Sequence, residues 1–334
     1  MATVLVVPAA ASSLGVIDGL LRDTAHDIVA ADASPYAPGF LREGVTGYTI
    51  PRVAEGDAYR ERLLEIVRSE DVDVFVPGSD RDVLAVAPYR DRFRDETNLL
   101  LPDRDSIETA ADALTSVRLA AEAGVPTPET YDSLSDVPTA ETTYPLVVKP
   151  RRSEGGRGVH RVSDRDALAF YVEKVRENGS EPVVQSRVPG GTGTMHVVGL
   201  LYDRDGTVVN AFVSRSRRTK FSWGGGGVVG EPVADAPELL AFATRIVDGL
   251  GGWVGPINME FKIDQRNGTP TFIEINPRLW GYNYVATANG TNFPSRLVDV
   301  ALRRDVEPDL NYDDGSMLII DSVEEIVDSD GPGR

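Results

Sequence analysis

The stretch from Ile257 to Trp280 constrains the fold of this chain more than any other. Apolar and polar residues alternate over 257–263 and again over 271–275, with Asn267-Gly268 between the two runs. Alternation with a period of two is typical of β-strands, and Asn-Gly is a strong turn signal. The stretch therefore predicts an antiparallel hairpin.

Folding this hairpin about Asn267 places Glu260 opposite Glu274, and Asn276 shares their face because side chains two apart point the same way. Like charges opposite each other destabilise a strand pair. Two carboxylates and an amide oxygen are also ligands that Mg²⁺ accepts together with substrate phosphates. The hairpin alone leaves two interpretations open, a site for a hard cation and a solvated polar face at a sheet edge.

Composition excludes several classes of chemistry. With 334 residues the chain has room for two or three domains. Cysteine is absent, so the chain has no disulfide, thiolate zinc site or cysteine nucleophile, and the three histidines show no ligand spacing. The N-terminal apolar run lacks a basic segment before it, so we expect no signal peptide, no membrane span and a cytoplasmic protein.

The net charge of −18, from 52 acidic and 34 basic residues, disfavours nucleic acid and anionic membranes as partners. Lysine is rare and occurs only at Lys149, Lys174, Lys220 and Lys262. Such a composition suggests adaptation to a salty, halophilic cytoplasm. A lysine retained in this background is a candidate functional residue, and Lys149 is the first of them.

The N-terminal third predicts a parallel α/β domain, because a helix over 59–67 lies among apolar strands at 3–7, 27–31 and 72–76. The first turn lacks the G-x-G-x-x-G spacing of dinucleotide sites, which favours a scaffold domain that shapes a cleft. Asp32 and Ser79-Asp80 follow predicted strands and are candidate substrate contacts. A helix over Asp105–Ala123, ended by Gly124 and two prolines, marks the first boundary. We predict domains at 1–104, 105–190 and 191–334.

Two glycine-rich segments are candidate phosphate contacts. The strand over 144–150 carries Lys149, and the loop after it contains Gly155, Gly156 and Gly158, whose backbone N–H groups can turn toward phosphate oxygens. The second segment, 215–227, combines four cations with four glycines and predicts a mobile anion-binding lid over the cleft. A plain surface turn and a solvated basic loop are the respective alternatives.

In this order, Lys149, the glycine loop, VVQSRVPG (183–190) and MEF…IEINPR (259–278) resemble the ATP-grasp superfamily, over nearly the whole chain. The likeness is greatest to carbamoyl-phosphate-synthetase-like and carboxylate–amine ligases. It implies mixed α/β and α+β architecture: an N-terminal parallel α/β (pre-ATP-grasp) domain followed by a two-lobed ATP-grasp module.

The resemblance also implies roles. Catalytic cations would be Lys149, Arg278, Arg215 and Arg217. ATP would contact Lys149, Gly155, Gly156, Gly158, Gln185, Ser186 and Val188, with the last three on the strand-to-loop hinge that reads adenine. Mg²⁺ or Mn²⁺ would be held by Glu260, Glu274 and Asn276.

The implied activity is ATP-dependent joining of a small-molecule carboxylate to an amine through an acyl-phosphate, in a protein that could form a homodimer. A bicarbonate or carbamoyl-phosphate-type enzyme and a non-catalytic nucleotide-binding module remain as alternatives. A dinucleotide-dependent oxidoreductase is disfavoured because it leaves the second half of the chain unexplained.

Three departures from the family pattern concern the nucleotide. The cation expected before the AGVPTP segment is replaced by Ala113, unless Arg118 substitutes for it from the next turn. Ser186 stands where a glutamate is usual, and no acidic ribose contact follows the hinge.

Overall fold

The computed structural model describes residues 1–23, 26–139, 142–221 and 224–319, with the backbone alone at residues 11, 192, 220, 221, 224–226 and 319. The N-terminal part is a parallel five-stranded sheet in the order β3-β2-β1-β4-β5. Its strands are β1 Ala2–Val7, β2 His26–Asp32, β3 Val45–Thr49, β4 Val74–Pro77 and β5 Asn98–Leu99, and its helices are α1 Leu14–Asp23, α2 Asp57–Ser69, α3 Asp80–Val86 and α4 Arg90–Arg94. The predicted parallel α/β architecture is confirmed. The short strands β3 and β5 carry no long apolar run and were not predicted.

The single helix predicted over 105–123 is wrong. The chain forms two helices, α5 Arg104–Ala110 and α6 Ala113–Glu122. Asp112 interrupts them because its carboxylate accepts hydrogen bonds from the amides of Leu114 and Thr115 at 3.0 and 3.1 Å, which starts a new helix. The same carboxylate pairs with Arg151 at 2.9 Å and so ties the linking helices to the next sheet.

The middle of the chain forms a four-stranded antiparallel sheet, here called the small lobe, in the order β6-β9-β7-β8. Its elements are β6 Thr130–Tyr131, β7 Leu146–Pro150, β8 His160–Val162, α7 Arg165–Glu177 and β9 Pro182–Ser186. Helix α7 begins at Arg165, because the Asp164 side chain caps it by accepting a hydrogen bond from the Ala167 amide at 2.8 Å. Val148, Val162 and Leu168 belong to a core of the small lobe's own.

The C-terminal part forms a sheet in the order β14-β13-β10-β11-β12-β15, here called the large sheet. Its elements are β10 Met195–Tyr202, β11 Val208–Phe221, β12 Gly224–Pro232, α8 Pro237–Asp248, β13 Gly255–Ile263, β14 Pro270–Asn276, α9 Tyr284–Ala288, α10 Phe293–Ala301 and β15 Leu318–Ile319. The predicted hairpin is β13–β14, and Glu260 pairs with Glu274 as expected. The lid predicted as a loop over 215–227 is wrong in form: β11 and β12 run through it, and residues 222–223 lie outside the described part.

The parallel sheet and the large sheet share continuous apolar cores. Val4 and Val6 of β1 belong to the same buried cluster as Phe212 and Trp280, whereas Leu5 joins the cluster of Phe261. The sheets are therefore held against each other by apolar burial. Within the described residues, no helix combines the length and apolarity needed to cross a bilayer.

Gly199 of β10 provides a test of this packing. A Cβ atom built on Gly199 would lie 2.1 Å from Cζ3 of Trp280, a ring that cannot yield without disturbing the shared core. We expect Gly199→Ala to lower the free energy of unfolding by about 1–3 kcal/mol, as overpacking usually does. Urea denaturation measures the loss. Gly193→Ala, where a Cβ meets nothing within 4 Å, is the matched control and should unfold like the wild type.

Candidate functional site

A single cavity of about 1250 Å³ reaches from the carboxyl ends of the parallel strands to the small lobe and the β13–β14 hairpin. Its wall includes Asp32 at the end of β2, Asp82 of α3, Gly155 from the glycine loop, Gln185 from the hinge and Glu260 from the hairpin. Pockets for one small molecule typically measure about 300–1,000 Å³. The cavity is therefore large enough for more than one ligand.

The opposed carboxylates Glu260 and Glu274 form the floor of this cavity. They face each other across β13 and β14 and are enclosed by the cavity walls. This burial, together with the charge of Glu274, raises the pKa of Glu260 to about 8. Arg278 and Lys149 oppose the rise, because their charges favour the ionised carboxylate. The two acids and two cations therefore form one electrostatic cluster.

Lys149 reaches this cluster from β7 of the small lobe. The residue is 6% exposed, and its Nζ donates to the backbone oxygen of Ile273 at 3.4 Å. Burial lowers the pKa of Lys149, whereas Glu274 and Glu260 raise it. The lysine singled out from composition thus lies beside the carboxylates singled out from the hairpin.

Arg278 connects the hairpin to the parallel sheet. Its Nη2 donates to Asp80 Oδ2 at 3.0 Å and to Asn276 Oδ1 at 3.2 Å, while its Nε is buried and has no hydrogen-bond partner among the described residues. Burial raises the pKa of Asp80 to about 6, and the Arg278 guanidinium opposes that rise. Sequence reasoning marked Asp80 only by its position after a strand, and its pairing with Arg278 required the fold.

The glycine loop folds toward the parallel sheet. Gly155, Gly156 and Gly158 have φ of 60°, 76° and 72°, a region where side chains are strained. Gly155 and Gly156 line the cavity, whereas a Cβ on Gly158 would meet the Pro150 ring at 2.8 Å. Beside them, Glu154 Oε1 accepts from the Asp80 amide at 2.6 Å. The third glycine therefore serves the close packing of the loop.

The hinge residues Gln185, Ser186 and Val188 line the cavity. Their contact with adenine remains a prediction. Two of their polar groups are already engaged within the small lobe. The Ser186 amide donates to the Glu129 carbonyl at 2.8 Å, and Gln185 Nε2 donates to Thr130 Oγ1 at 3.0 Å.

Arg215 and Arg217 are not brought to the cavity wall as the lid prediction required. Both guanidinium groups pair with the buried Glu231, with Arg217 Nε at 2.5 Å from its carboxylate. Ser216, between them, faces the Tyr282 hydroxyl at 3.0 Å, and Tyr282 lines the cavity. Because side chains alternate along a strand, the two arginines point to the other face.

Arg118 does not replace the cation missing at position 113. Its guanidinium pairs with Asp132 at 2.5 Å on the surface, and Arg118 is not among the described residues that line the cavity.

Asn258 is a site residue that sequence reasoning missed. Its Nδ2 donates to the Arg278 carbonyl at 2.7 Å, and its Oδ1 accepts from Asn276 Nδ2 at 3.2 Å. Asn258 lies two residues before Glu260, so strand alternation alone could have assigned it to the same face.

The floor fits a hard divalent cation. Two carboxylates face each other, and their mutual repulsion is what a cation between them would relieve. Asn276 adds an amide oxygen, although this oxygen already accepts from Arg278. No group of three or more His, Asp or Glu suited to a metal occurs among the described residues, so ligands from a bound substrate are needed as well. This donor set matches Mg²⁺ held by one or two carboxylates and phosphate oxygens.

The far wall of the cavity contains a second buried acid. Asp82 accepts from the Tyr59 hydroxyl at 2.5 Å and from the Ser79 hydroxyl. Burial raises the pKa of Asp82 to about 6, although both hydrogen bonds favour its ionised form.

Comparison with known proteins agrees with the predicted resemblance. Residues 110–282 match the model of the ATP-grasp domain, about half of the chain. The chain is 26% identical over 269 residues to the carbamoyl phosphate synthase large chain of Halobacterium salinarum, covering 78% of this chain and 23% of that protein. The chain spans about a fifth of the length of such curated relatives.

Two solved structures share the fold. The biotin carboxylase domain of Hydrogenobacter thermophilus 2-oxoglutarate carboxylase, in complex with MgADP, ADP and bicarbonate, matches with a TM-score of 0.70 at 20% identity over 93% of this chain and 72% of that one. The L-amino acid ligase of Bacillus licheniformis matches with a TM-score of 0.68 at 18% identity over 90% and 74%.

The raised pKa of Asp82 predicts a pH dependence of stability. Its pKa is about 6 in the folded chain and 3.8 as the ordinary value, so between these values the folded state binds more protons than the unfolded state. The stability contributed by this group is therefore complete below about pH 4 and falls as the pH rises through 6. We expect Asp82→Asn, measured by urea denaturation from pH 4 to 7, to flatten this decline. Exposed Asp235→Asn is the control, and parallel profiles for all three proteins would contradict the assignment.

Proposed function

This chain belongs to the ATP-grasp domain family, and on that premise we propose that it is an ATP-dependent ligase that activates a carboxylate for attack by an amine. The observation that carries the proposal is the cavity floor, where Lys149 and Arg278 converge on the opposed Glu260 and Glu274 beside the glycine loop. Phosphoryl transfer depends chiefly on positioning and charge neutralisation, and this cluster offers both.

In this proposal an oxygen of the substrate carboxylate attacks the γ-phosphorus of ATP and ADP leaves. The amine nitrogen then attacks the acyl carbon, and phosphate leaves with formation of the amide. Mg²⁺, held by Glu260, Glu274 and Asn276, would neutralise phosphate charge. No cysteine or histidine nucleophile is required, which agrees with the absence of cysteine from the chain.

The chain's own residues position the reactants. Lys149 and Arg278 would pair with phosphate oxygens, and the unpartnered Nε of Arg278 is a donor that remains for this purpose. Gly155 and Gly156 would cover the phosphates and keep water from the acyl-phosphate. The Val188 end of the hinge would lie against adenine. Arg215 and Arg217 stay outside the proposal because both pair with Glu231.

The division at 1–104, 105–190 and 191–334 is retained as part of the proposal, as are a homodimer and small-molecule substrates. Bicarbonate is the second candidate for the activated acid. It is favoured by the similarity to carbamoyl phosphate synthase and by the bicarbonate bound in the 2-oxoglutarate carboxylase domain.

Glu274→Ala tests the floor of the site. Losing one of the two opposed carboxylates should lower ADP release at least about 100-fold, the loss typical of removing a charge-stabilising group. ADP is measured in high salt with Mg²⁺ and pools of amino acids, other carboxylates and bicarbonate. Exposed Glu238→Ala is the control. Turnover within threefold of the wild type in Glu274→Ala would show that the metal assignment is wrong.

Hydroxylamine tests the reaction class, because it traps an acyl-phosphate as a hydroxamate. We expect hydroxamate to form in proportion to ADP when the correct acid is present. If broad pools yield neither product while calorimetry still detects ATP binding, the ligase proposal fails and a nucleotide-binding module replaces it.

A further inference from the structure

Three cations line the cavity near the hinge, away from the Lys149–Arg278 cluster. They are Lys262 of β13, Arg187 just after β9 and Arg161 of β8, here called the hinge-end cations. Lys262 lies two residues beyond Glu260, about 7 Å along the strand. Two of the chain's four lysines, Lys149 and Lys262, thus face one cavity.

The hinge-end cations have no anionic partner in the described part of the chain. None of the three takes part in an ion pair there, and Arg187 Nη2 donates a hydrogen bond to the Gly190 carbonyl oxygen at 3.4 Å. Lys262 is only 7% exposed. Burial and the neighbouring Arg187 lower the pKa of Lys262, and burial and Arg161 act in the same direction on Arg187.

A buried charge is ordinarily paired, because desolvation without compensation is expensive. This cost falls chiefly on Lys262, since Arg187 is half-buried and Arg161 is exposed. The charged groups that act on Lys262 and Arg187 are themselves cations. A negative charge on a ligand in the cavity would supply the compensation.

Apolar side chains line the same cavity. Val147, Val188 and Ile273 are among them and offer apolar contacts for a flat ring. If the proposed function is right, a nucleotide with its phosphates at Lys149 presents its base and ribose here. Unmodified ATP carries no negative charge at that end, so it would leave the hinge-end cations uncompensated.

We propose that Lys262, Arg187 and Arg161 form a second anion subsite, separate from the phosphate site at Lys149 and Arg278, which takes a phosphate-sized anionic group. Two kinds of ligand supply such an anionic group. It is either a phosphate on the ribose of the nucleotide or a separate small anion bound beside the nucleotide. The position of the nucleotide in this proposal rests on the proposed function. The existence of the subsite does not.

Calorimetry at fixed ionic strength distinguishes the two sources. The first arm compares AMP with adenosine 2′,5′-bisphosphate and adenosine 3′,5′-bisphosphate. The second arm titrates inorganic phosphate into the ADP-saturated protein. We expect a ribose phosphate to tighten binding about tenfold over AMP, or phosphate to bind the ADP complex, as one charge-assisted contact allows.

Lys262→Met assigns the effect to the subsite. It keeps the length and apolar stem of the side chain and should abolish whichever effect the wild type shows. Lys174→Met, on the surface of α7, is the matched control and should keep it. If Lys262→Met fails to fold, Arg187→Met provides the same binding test.

Two results would overturn the proposal. One is that, in the wild type, neither bisphosphate binds more tightly than AMP and inorganic phosphate does not bind the ADP complex. The other is that the gain survives in both Lys262→Met and Arg187→Met. If AMP and ADP do not bind at all, the proposed function fails instead, and phosphate binding to the free protein, lost in Lys262→Met, still supports the subsite.

Discussion

The burial of two opposed carboxylates, Glu260 and Glu274, is the constraint on which the rest of the site depends. Like charges at paired strand positions are unfavourable, and enclosure strengthens their repulsion because little water screens it. The chain responds by directing Lys149 and Arg278 at the same point. These cations come from different parts of the chain, so the balance exists only when the small lobe and the hairpin are in register.

That requirement links the three sheets. Arg278 pairs with Asp80, the first residue of α3 after the parallel strand β4, and the backbone amide of Asp80 donates to Glu154 of the glycine loop. The small lobe has its own apolar core, whereas the other two sheets share theirs. Among the described residues, the polar contacts around the cavity are therefore the main interactions that hold the small lobe to the parallel sheet. A ligand that binds the carboxylates and the glycine loop would reinforce both sets of contacts at once.

Because the chain is strongly acidic, the presence or absence of a counterion for each cation is informative. Arg215 and Arg217 stood out as strongly as Lys149 in the sequence, yet they pair with Glu231 on the far face of the large sheet. Lys262 stood out only as one of four lysines, yet it faces the cavity beside Arg187 without a counterion among the described residues. Whether a cation has a counterion depends on which face of a strand it occupies and which side chain lies opposite. Neither can be read from how rare or common cations are in the sequence.

The sequence by itself determined the hairpin, its Glu260–Glu274 pair, the carboxylate face, Lys149 on its strand and the parallel N-terminal sheet. These features are local, because alternation, turn residues and strand ends are written in consecutive residues. Family membership likewise followed from the order of motifs and is confirmed by the match over 110–282. Only the tertiary structure decided that Asp112 breaks a helix to hold Arg151, that Arg278 meets Asp80 and that Arg215 faces away. Those outcomes join residues far apart in the chain, and no local pattern encodes such distances.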